Sequence, residues 1–291
     1  MSDSSSSVWT SLAAAAGGVA LGLGLARAFA APAHASPAGP TGRVGKSTVV
    51  VAKDASQIPR AAKRGETVIA YWSIRGLGQP CRLALAYAGV DFTDVRVDPG
   101  PGAPGSPGYK AMWMNQKADL SKSVNFANLP FLLEEETGTK LVQTRAILRH
   151  IGRRYGLLGD DPDALDLIMD EASDLDDKVT GMCYGNFAAM QQWCREQLPA
   201  KLAMYAAHLE QHGWQFMAGN TVSVADFKLY ETLSKLRLIE AEASVGTQTL
   251  ASHAAMTAYV ARMEALPALK AYLQSDSCID RPLNNVHAQF K

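Results

Sequence analysis

The sequence predicts an α/β domain followed by an all-α domain, with an N-terminal extension of different composition in front of them. Short apolar runs of strand length alternate with segments of helical periodicity between residues 67 and 157. From Asp163 onward the apolar residues recur only at helical spacing. Residues 1–66 are instead rich in Ser, Ala, Gly and Pro. We therefore predict an extension over 1–66, an α/β domain over 67–157 and an all-α domain over 163–291.

The N-terminal extension contains one segment of the length that crosses a membrane. Val8–Ala31 is apolar or small apart from three residues, and about 20 apolar residues span a bilayer core. Gly18 and Gly22 form a GxxxG pair, which lets membrane helices approach closely. We therefore predict a transmembrane helix over 8–31, then a Pro-rich linker from Pro32 to Pro40. Residues 41–66 are predicted to continue the tether, with at most a short strand at 49–51.

Other interpretations of this extension stay open. No acidic residue occurs between Ser4 and Lys53, which is typical of a transit peptide for a mitochondrion or plastid. A secretory signal is the weakest interpretation, because the segment lacks a basic start. The sequence thus predicts a protein that is anchored by a single N-terminal span or is organellar, with a cytoplasmic location as the alternative.

The α/β domain begins with a buried strand at Thr67–Tyr71. Gly76, Gly78 and Pro80 follow it, and Pro80 suits the first turn of a helix. The remaining elements follow from apolar periodicity and Gly or Pro boundaries: a strand at 92–97, a helix at 109–117, a hairpin of 131–133 with 140–142, and a helix ending at Gly156. The order β-α-β-α-β-β-α is the thioredoxin-like arrangement.

The second domain shows no strand pattern. Its predicted helices cover about 165–183, 191–212, 224–239, 251–266 and 268–275. Ser223 and Asp226 have the spacing of a capping box at the start of the third of these helices. We assign that pair to folding rather than to chemistry.

Composition excludes several classes of function. The chain has 28 basic and 28 acidic residues among 291, and a nucleic-acid surface would normally show a basic excess. We therefore expect no nucleic-acid partner. The four cysteines show neither a CxxC pair nor a zinc-site spacing, so we expect free thiols in a reducing compartment and no metal: Cys81, Cys183, Cys194 and Cys278.

Several short segments, in this order, carry a resemblance to a known family. They are Tyr71–Leu77, Trp113–Lys117, Asn128–Leu132, Gln143–Leu148, Met182–Tyr184, Ser223–Phe227 and Arg281–Asn284. The chain resembles the mu class of glutathione S-transferases over about residues 67–291. The resemblance implies the glutathione S-transferase fold, glutathione as co-substrate, hydrophobic electrophiles as the second substrate, and a homodimer.

The chemistry of such a site depends on a tyrosine. Only the thiolate of glutathione attacks well, and a hydroxyl that donates a hydrogen bond to sulfur lowers the thiol pKa. Tyr71, at the end of the first strand, is the candidate for this catalytic role. Leu129 would offer its backbone to the cysteinyl part of glutathione, and Pro130 is expected to be cis. Gln143 and Thr144, at a helix N-terminus, suit the γ-glutamyl carboxylate.

The resemblance implies roles for further residues. Asp174 is expected to reach the γ-glutamyl ammonium bound to the other subunit, and Tyr184 to line the electrophile pocket. Thr144 stands where mu-class enzymes usually have Ser. The complete predicted glutathione site consists of Trp72, Leu77, Lys110, Trp113, Lys117, Asn128, Leu129, Pro130, Gln143, Thr144 and Asp174.

Three alternatives stay open at this stage. The same tyrosine would serve glutathione-dependent isomerisation of lipid-derived substrates. The predicted membrane span also suits an accessory or structural subunit of a membrane complex, for example an organellar energy-transducing complex, with little or no catalysis. Cys81 stands near a helix N-terminus, where thiols acidify, so a redox role competes there with simple packing.

Overall fold

The computed structural model describes residues 42–291, all of which belong to one compact unit. The predicted membrane span at 8–31 and the linker at 32–40 lie outside the described residues. Within residues 42–291, no helix is both long and apolar enough to cross a membrane.

The α/β domain is built on a five-stranded sheet in the order β1-β3-β2-β4-β5. Its strands are β1 (Ser47–Ala52), β2 (Thr67–Trp72), β3 (Phe92–Val97), β4 (Phe131–Glu134) and β5 (Thr139–Val142). Both β1 and β2 run parallel to β3, whereas β4 is antiparallel to β2 and to β5. The predicted thioredoxin-like order is therefore confirmed from β2 onward, with β1 as an additional edge strand.

Three helices cover the two faces of this sheet: α1 (Gln79–Tyr87), α2 (Ala111–Leu120) and α3 (Thr144–Tyr155). Residues of α1 and α3 share one hydrophobic core with the helical domain. Trp113 and Leu120 of α2 belong to a second core on the other face. The sheet thus separates the core that it shares with the helical domain from a smaller core beneath α2.

The prediction that residues 41–66 continue the tether is wrong for residues 47–58, although the short strand allowed at 49–51 is present within β1. All six residues of β1 pair with β3. Ala52 and Ile58 are buried at 0% and 2% exposure, and the Gln116 side chain donates a hydrogen bond of 3.3 Å to the Ile58 carbonyl. The physical reason is that β1 is held by pairing with β3, a strand far along the chain, which the local pattern of residues 47–52 does not reveal.

The second domain is all-α, as predicted. Its helices are α4 (Pro162–Gly185), α5 (Met190–Glu196), α6 (Leu198–His212), α7 (Val224–Ala241), α8 (Thr249–Ser252), α9 (Ala254–Ala265) and α10 (Pro267–Leu273). The single helix predicted over 191–212 is two helices that meet at Gln197. Pro199 is the reason, because its ring excludes the carbonyl of residue 195 from a continuous helix. The capping box of Ser223 and Asp226 begins α7, as predicted.

Helix α7 joins the two domains through buried charges. It packs against α4 of its own domain and against α1 and α3 of the α/β domain. Glu231 pairs with Arg75, while Lys228 and Lys235 both donate to the carboxylate of Asp176 on α4. The side chains in these pairs are at most 7% exposed. The turn after β2, which carries Arg75, is therefore fixed to the helical domain.

Candidate active site

Tyr71 lies at the carboxyl end of β2, where the chain turns toward α1. Its side chain is 7% exposed, and the turn passes directly over its ring. A β-carbon at Gly76 would stand 2.9 Å from the Tyr71 hydroxyl, and Gly76 has a φ of 40°. Only glycine fits this position without pressing on the phenol. The turn therefore brings backbone atoms against the hydroxyl.

The electrostatic environment keeps the Tyr71 phenol protonated. Burial raises the pKa of Tyr71 to about 12, and nearby Tyr184 contributes in the same direction. The backbone of Leu77 and the charge of Arg82 oppose this shift. A phenol with a raised pKa holds its proton at neutral pH. Tyr71 is therefore a hydrogen-bond donor, which is the state that stabilising a thiolate requires.

The C-terminal tail holds the turn between β2 and α1 in place. The Arg75 N–H donates to the Pro282 carbonyl and the Gly76 N–H to the Leu283 carbonyl, each at 3.0 Å. These bonds are between backbone groups, so they set the position of the tail irrespective of its side chains. The tail therefore reaches the vicinity of the Tyr71 hydroxyl.

A cavity of about 730 Å³ lies at the N-terminus of α3. Three predicted site residues line it: Leu77, Gln143 and Thr144. The Thr144 hydroxyl donates to the Leu77 carbonyl at 3.0 Å, and Gln143 has a left-handed φ of 73°. The first N–H groups of a helix and its dipole favour an anion. The structure thus brings these three residues together in a place suited to a carboxylate.

Charged residues that the sequence did not single out line the same cavity. They are Arg145, Arg149, Arg153, Asp170, Asp177 and Lys228. Arg145 and Arg149 pair with acidic residues of α4, namely Asp170 and Asp166. Part of the acidic face of α4 therefore lies against basic residues of α3.

Lys228 differs from these arginines because it is only 2% exposed. It lies between Asp176 and the cavity, with an Nζ–Oδ2 distance of 2.5 Å. No motif marked it in the sequence, because a lysine within a helical pattern is ordinarily placed on the solvent side.

The indole and ammonium groups of the predicted glutathione site also lie near one another. The rings of Trp72 and Trp113 meet edge to face, with centroids 6.4 Å apart. The Lys110 ammonium is 5.4 Å from the Trp72 ring centroid. Lys117 follows Trp113 by one turn of α2 and is half-buried. These residues form a second polar group at the start of α2, separate from the cavity at α3.

The segment before β4 offers a free backbone edge. The Leu129–Pro130 peptide bond is cis, as predicted. Leu129 is 8% exposed, and neither of its backbone groups has a hydrogen-bond partner within residues 42–291. A peptide can add to such an edge in the manner of a strand. Asn128, the preceding residue, is exposed.

Asp174 does not reach this chain's own cavity. It is exposed on α4, whereas its neighbours Ser173 and Asp177 line the cavity. Its expected contact with glutathione in a partner subunit therefore stays a prediction.

Tyr184 lies at the end of α4 beside the C-terminal tail. Its hydroxyl accepts a hydrogen bond of 2.8 Å from the Asn285 N–H, so its own proton is free to be donated. The His287 ring lies 4.9 Å from the Tyr184 ring, centroid to centroid, and the Tyr109 hydroxyl is 2.8 Å from His287 Nδ1. Sequence reasoning missed His287, because the tail has no periodic pattern that would place it.

The thiol of Cys81 is packed in the protein interior. Cys81 is fully buried, and burial raises its pKa to about 12. The structure therefore favours packing over the redox role that the sequence left open. Among residues 42–291 no group of three or more His, Cys, Asp or Glu side chains could hold a metal ion.

Comparison with known proteins gives matches in both domains. The family model for the glutathione S-transferase N-terminal domain matches residues 67–153, and the model for the C-terminal domain matches residues 173–276. A glutathione S-transferase of Dermatophagoides pteronyssinus is 32% identical over 77% of this chain and 99% of its own length. Glutathione S-transferase Mu 5 of Rattus norvegicus is 29% identical over 77% of this chain and 94% of its own.

Solved structures agree with these matches. The glutathione S-transferase Blo t 8 has a TM-score of 0.65 and 26% identity, and the match covers 77% of this chain and 99% of that one. The Pi-class glutathione S-transferase of Onchocerca volvulus has a TM-score of 0.63 and 25% identity, covering 77% and 100%.

Proposed function

This chain belongs to the glutathione S-transferase family and is a glutathione transferase that resembles the mu class, and from that premise we propose that it conjugates glutathione to hydrophobic electrophiles. The observation that carries the proposal is the position of the Tyr71 hydroxyl, which lies against Gly76 in the turn before α1. Leu77, the next residue of that turn, lines the cavity at the N-terminus of α3.

The residues divide the task between binding and activation. The N-terminus of α3, with Gln143 and Thr144, suits the γ-glutamyl carboxylate, and the free backbone of Leu129 suits the cysteinyl part. The indoles and lysines at α2 suit the glycyl carboxylate. A tripeptide held at these three places presents its sulfur toward Tyr71. Donation from the phenol then stabilises the thiolate and raises its share at neutral pH.

Tyr71→Phe tests this role, because it removes only the hydroxyl. A hydrogen bond to a charged group contributes about 1.5–3 kcal/mol, so kcat/KM with chlorodinitrobenzene should fall about 10- to 100-fold. The KM for glutathione should change little, and the pKa of the bound thiol, followed by thiolate absorbance, should rise.

The matched control is Tyr272→Phe. Tyr272 is also buried, and its hydroxyl has no hydrogen-bond partner within the part of the chain that the structure describes. This variant should keep the wild-type rate and thiol pKa. Equal rates for wild type and Tyr71→Phe would refute the proposed role of Tyr71 and would favour a non-catalytic accessory subunit.

We also propose that the enzyme is a homodimer. Phe126 is 89% exposed and has a left-handed φ of 57°, so an aromatic ring is presented to solvent on a constrained loop. Exposed aromatic anchors are typical of protein interfaces. Phe126→Ser should shift the sedimentation coefficient toward that of a monomer. A wild-type protein that already sediments as a monomer would contradict the proposal.

In such a dimer Asp174 would serve the partner's site. Asp174→Asn should raise the KM for glutathione in the dimer, whereas it should have no effect in the monomeric Phe126→Ser variant. An equal effect in both backgrounds would place Asp174 in its own chain's site.

We further propose that residues 8–31 anchor the protein to a membrane or direct it to an organelle. The support is the apolar composition of that stretch and the absence of acidic residues between Ser4 and Lys53. Fractionation of native tissue, combined with N-terminal sequencing, distinguishes a membrane anchor from a transit peptide. An intact N-terminus in the membrane pellet supports the anchor, a shortened one in an organelle supports the transit peptide, and recovery of the intact chain in the cytosol contradicts both. Co-purification with a large membrane assembly would support the accessory role.

A further inference from the structure

His287 lies beside Tyr184, the residue expected to line the electrophile pocket, and between residues from both domains. Its ring lies against the ring of Tyr184, which ends α4, and its Nδ1 is 2.8 Å from the hydroxyl of Tyr109, in the loop before α2. The rings of Tyr109 and His287 also meet edge to face, at 5.9 Å between centroids. Two phenols therefore fix the position of this exposed imidazole.

The tail that carries His287 is anchored on both sides of it. Before it, the Leu283 carbonyl accepts from Gly76, and the Asn285 N–H donates to the Tyr184 hydroxyl. After it, the Gln289 N–H donates to the Cys183 carbonyl at 2.8 Å, and the Phe290 ring stacks on Phe187. His287 is therefore held on a short, fastened turn, although its own side chain is exposed.

The partner at Nδ1 determines which nitrogen of His287 carries the proton. A phenol is the natural donor to a neutral imidazole, so the Tyr109 hydroxyl donates to Nδ1 and the ring proton stands on Nε2. Partial burial and the positive charge of Lys110 lower the pKa of His287, which favours the neutral ring. Tyr109, Tyr184 and Lys110 are the titratable groups that face it. Nε2 has no partner among residues 42–291, so its N–H is available to a ligand.

Building on the proposed conjugation, we propose that His287 is an additional catalytic residue, whose Nε2–H donates a hydrogen bond to the carbonyl oxygen of an electrophile. The substrates that use it are conjugated carbonyl compounds. The thiolate forms a bond to the β-carbon, and the electrons of the C=C bond move onto the oxygen as an enolate. His287 stabilises that oxygen together with the Tyr184 hydroxyl. The enolate then takes one proton from water, which balances the proton that the thiol released.

If His287 has this role, its loss should slow the conjugation of carbonyl electrophiles but not that of electrophiles without an oxyanion intermediate. Substitution at benzyl chloride forms a bond to carbon and releases chloride, so no oxygen develops negative charge. Addition to benzylideneacetone, an enone, does develop an oxyanion. A donor aimed at an oxyanion contributes about 10²–10³-fold in a closed site, and an exposed donor contributes less.

The experiment compares both electrophiles in wild type, His287→Phe, His287→Gln and Tyr109→Phe. His287→Phe keeps an aromatic ring against Tyr184 but removes the donor, so kcat/KM for the enone should fall about 10-fold or more, and that for benzyl chloride should change less than about twofold. His287→Gln restores an N–H and should recover most of the enone rate. Tyr109→Phe releases the ring and should give an intermediate loss with the enone alone.

Several outcomes would overturn the role of His287. They are equal losses with both electrophiles, no loss with either, failure of His287→Gln to exceed His287→Phe, or a wild type that accepts benzyl chloride but not the enone. A wild type that conjugates neither electrophile, nor chlorodinitrobenzene, would instead refute the proposed function. Unchanged melting temperatures would show that the variants fold.

Discussion

The guanidinium of Arg75 and the carboxylate of Glu231 form a two-bond pair across the domain interface, at 3.0 Å for Nε–Oε1 and 2.7 Å for Nη2–Oε2. Their side chains are 7% and 1% exposed. Removing one partner leaves a buried charge without compensation, which costs about 3–5 kcal/mol. We expect Glu231→Leu to lower the free energy of unfolding in urea by this amount.

Its matched control is Glu242→Gln, which breaks a pair with Arg281 in which both side chains are 42% exposed. Exposed pairs contribute about 0–1 kcal/mol, so this variant should unfold close to the wild-type midpoint. Similar losses in the two variants would show that burial does not determine the contribution of the Arg75 pair.

Thr144 should contribute to glutathione binding through its hydroxyl. Thr144→Val removes the donor to the Leu77 carbonyl and leaves that carbonyl without its partner. We expect the KM for glutathione to rise about fivefold, which corresponds to about 1 kcal/mol. Thr144→Ser keeps the hydroxyl and should bind glutathione as the wild type does. If the serine variant loses as much as the valine variant, the loss is not specific to the hydroxyl and its proposed contribution is refuted.

The segment before β2 should stabilise the fold. Ile58 is 2% exposed in the core beneath α2, so Ile58→Ala should lower the free energy of unfolding by about 2–5 kcal/mol. Val51, in β1, is 42% exposed, and Val51→Ala should cost less than about 1 kcal/mol. Chemical denaturation of both variants measures the two changes in the free energy of unfolding. Identical stabilities would mean that residues 47–58 do not form part of the cooperative unit.

Glu134 should make stability depend on pH in the acid range. Burial alone would raise its pKa, but hydrogen bonds from His150, Thr137 and Tyr155, with the charge of Arg154, outweigh burial and lower the pKa from 4.5 to about 2. Between these two pH values the unfolded chain binds a proton at this site that the folded chain does not. The stabilisation by Glu134 is therefore complete above 4.5 and is lost as the pH falls toward 2.

Urea titrations of wild type and Glu134→Gln at several pH values test this dependence. The difference in the free energy of unfolding should be constant near neutral pH and should shrink below 4.5. A difference that grows on acidification would contradict the lowered pKa.

Local patterns were sufficient for most elements of the fold. Strands β2 to β5 follow apolar runs with Gly or Pro boundaries, and the long helix α4 follows its periodicity. Two errors have local causes of a different kind. The tether assigned to residues 41–66 took in the rest of β1 because only Val49–Val51 shows a strand pattern there, and Pro199 divides a stretch whose apolar period is otherwise continuous.

Site residues were predictable where a short motif stands at the start of a helix or strand. Gln143 and Thr144 start a helix, and Leu129–Pro130 precedes a strand, so their place in a thioredoxin-like sheet follows from order along the chain. Lys228 and His287 depend on partners far away in sequence. Lys228 is buried because Asp176 stands 52 residues before it, and His287 contacts a loop 178 residues before it. Sequence periodicity carries no information about contacts between residues so far apart in the chain.

The backbone bonds from Arg75 and Gly76 to the tail have a consequence for how this enzyme diversifies. They attach Pro282 and Leu283 through carbonyl groups that every amino acid possesses. Mutational drift over the following residues therefore leaves the anchoring intact while it replaces the side chains that we propose to meet the second substrate. Substitutions there can change substrate specificity with little effect on the stability of the fold. We therefore expect positions 285–287 to vary more among descendants than positions 71–78.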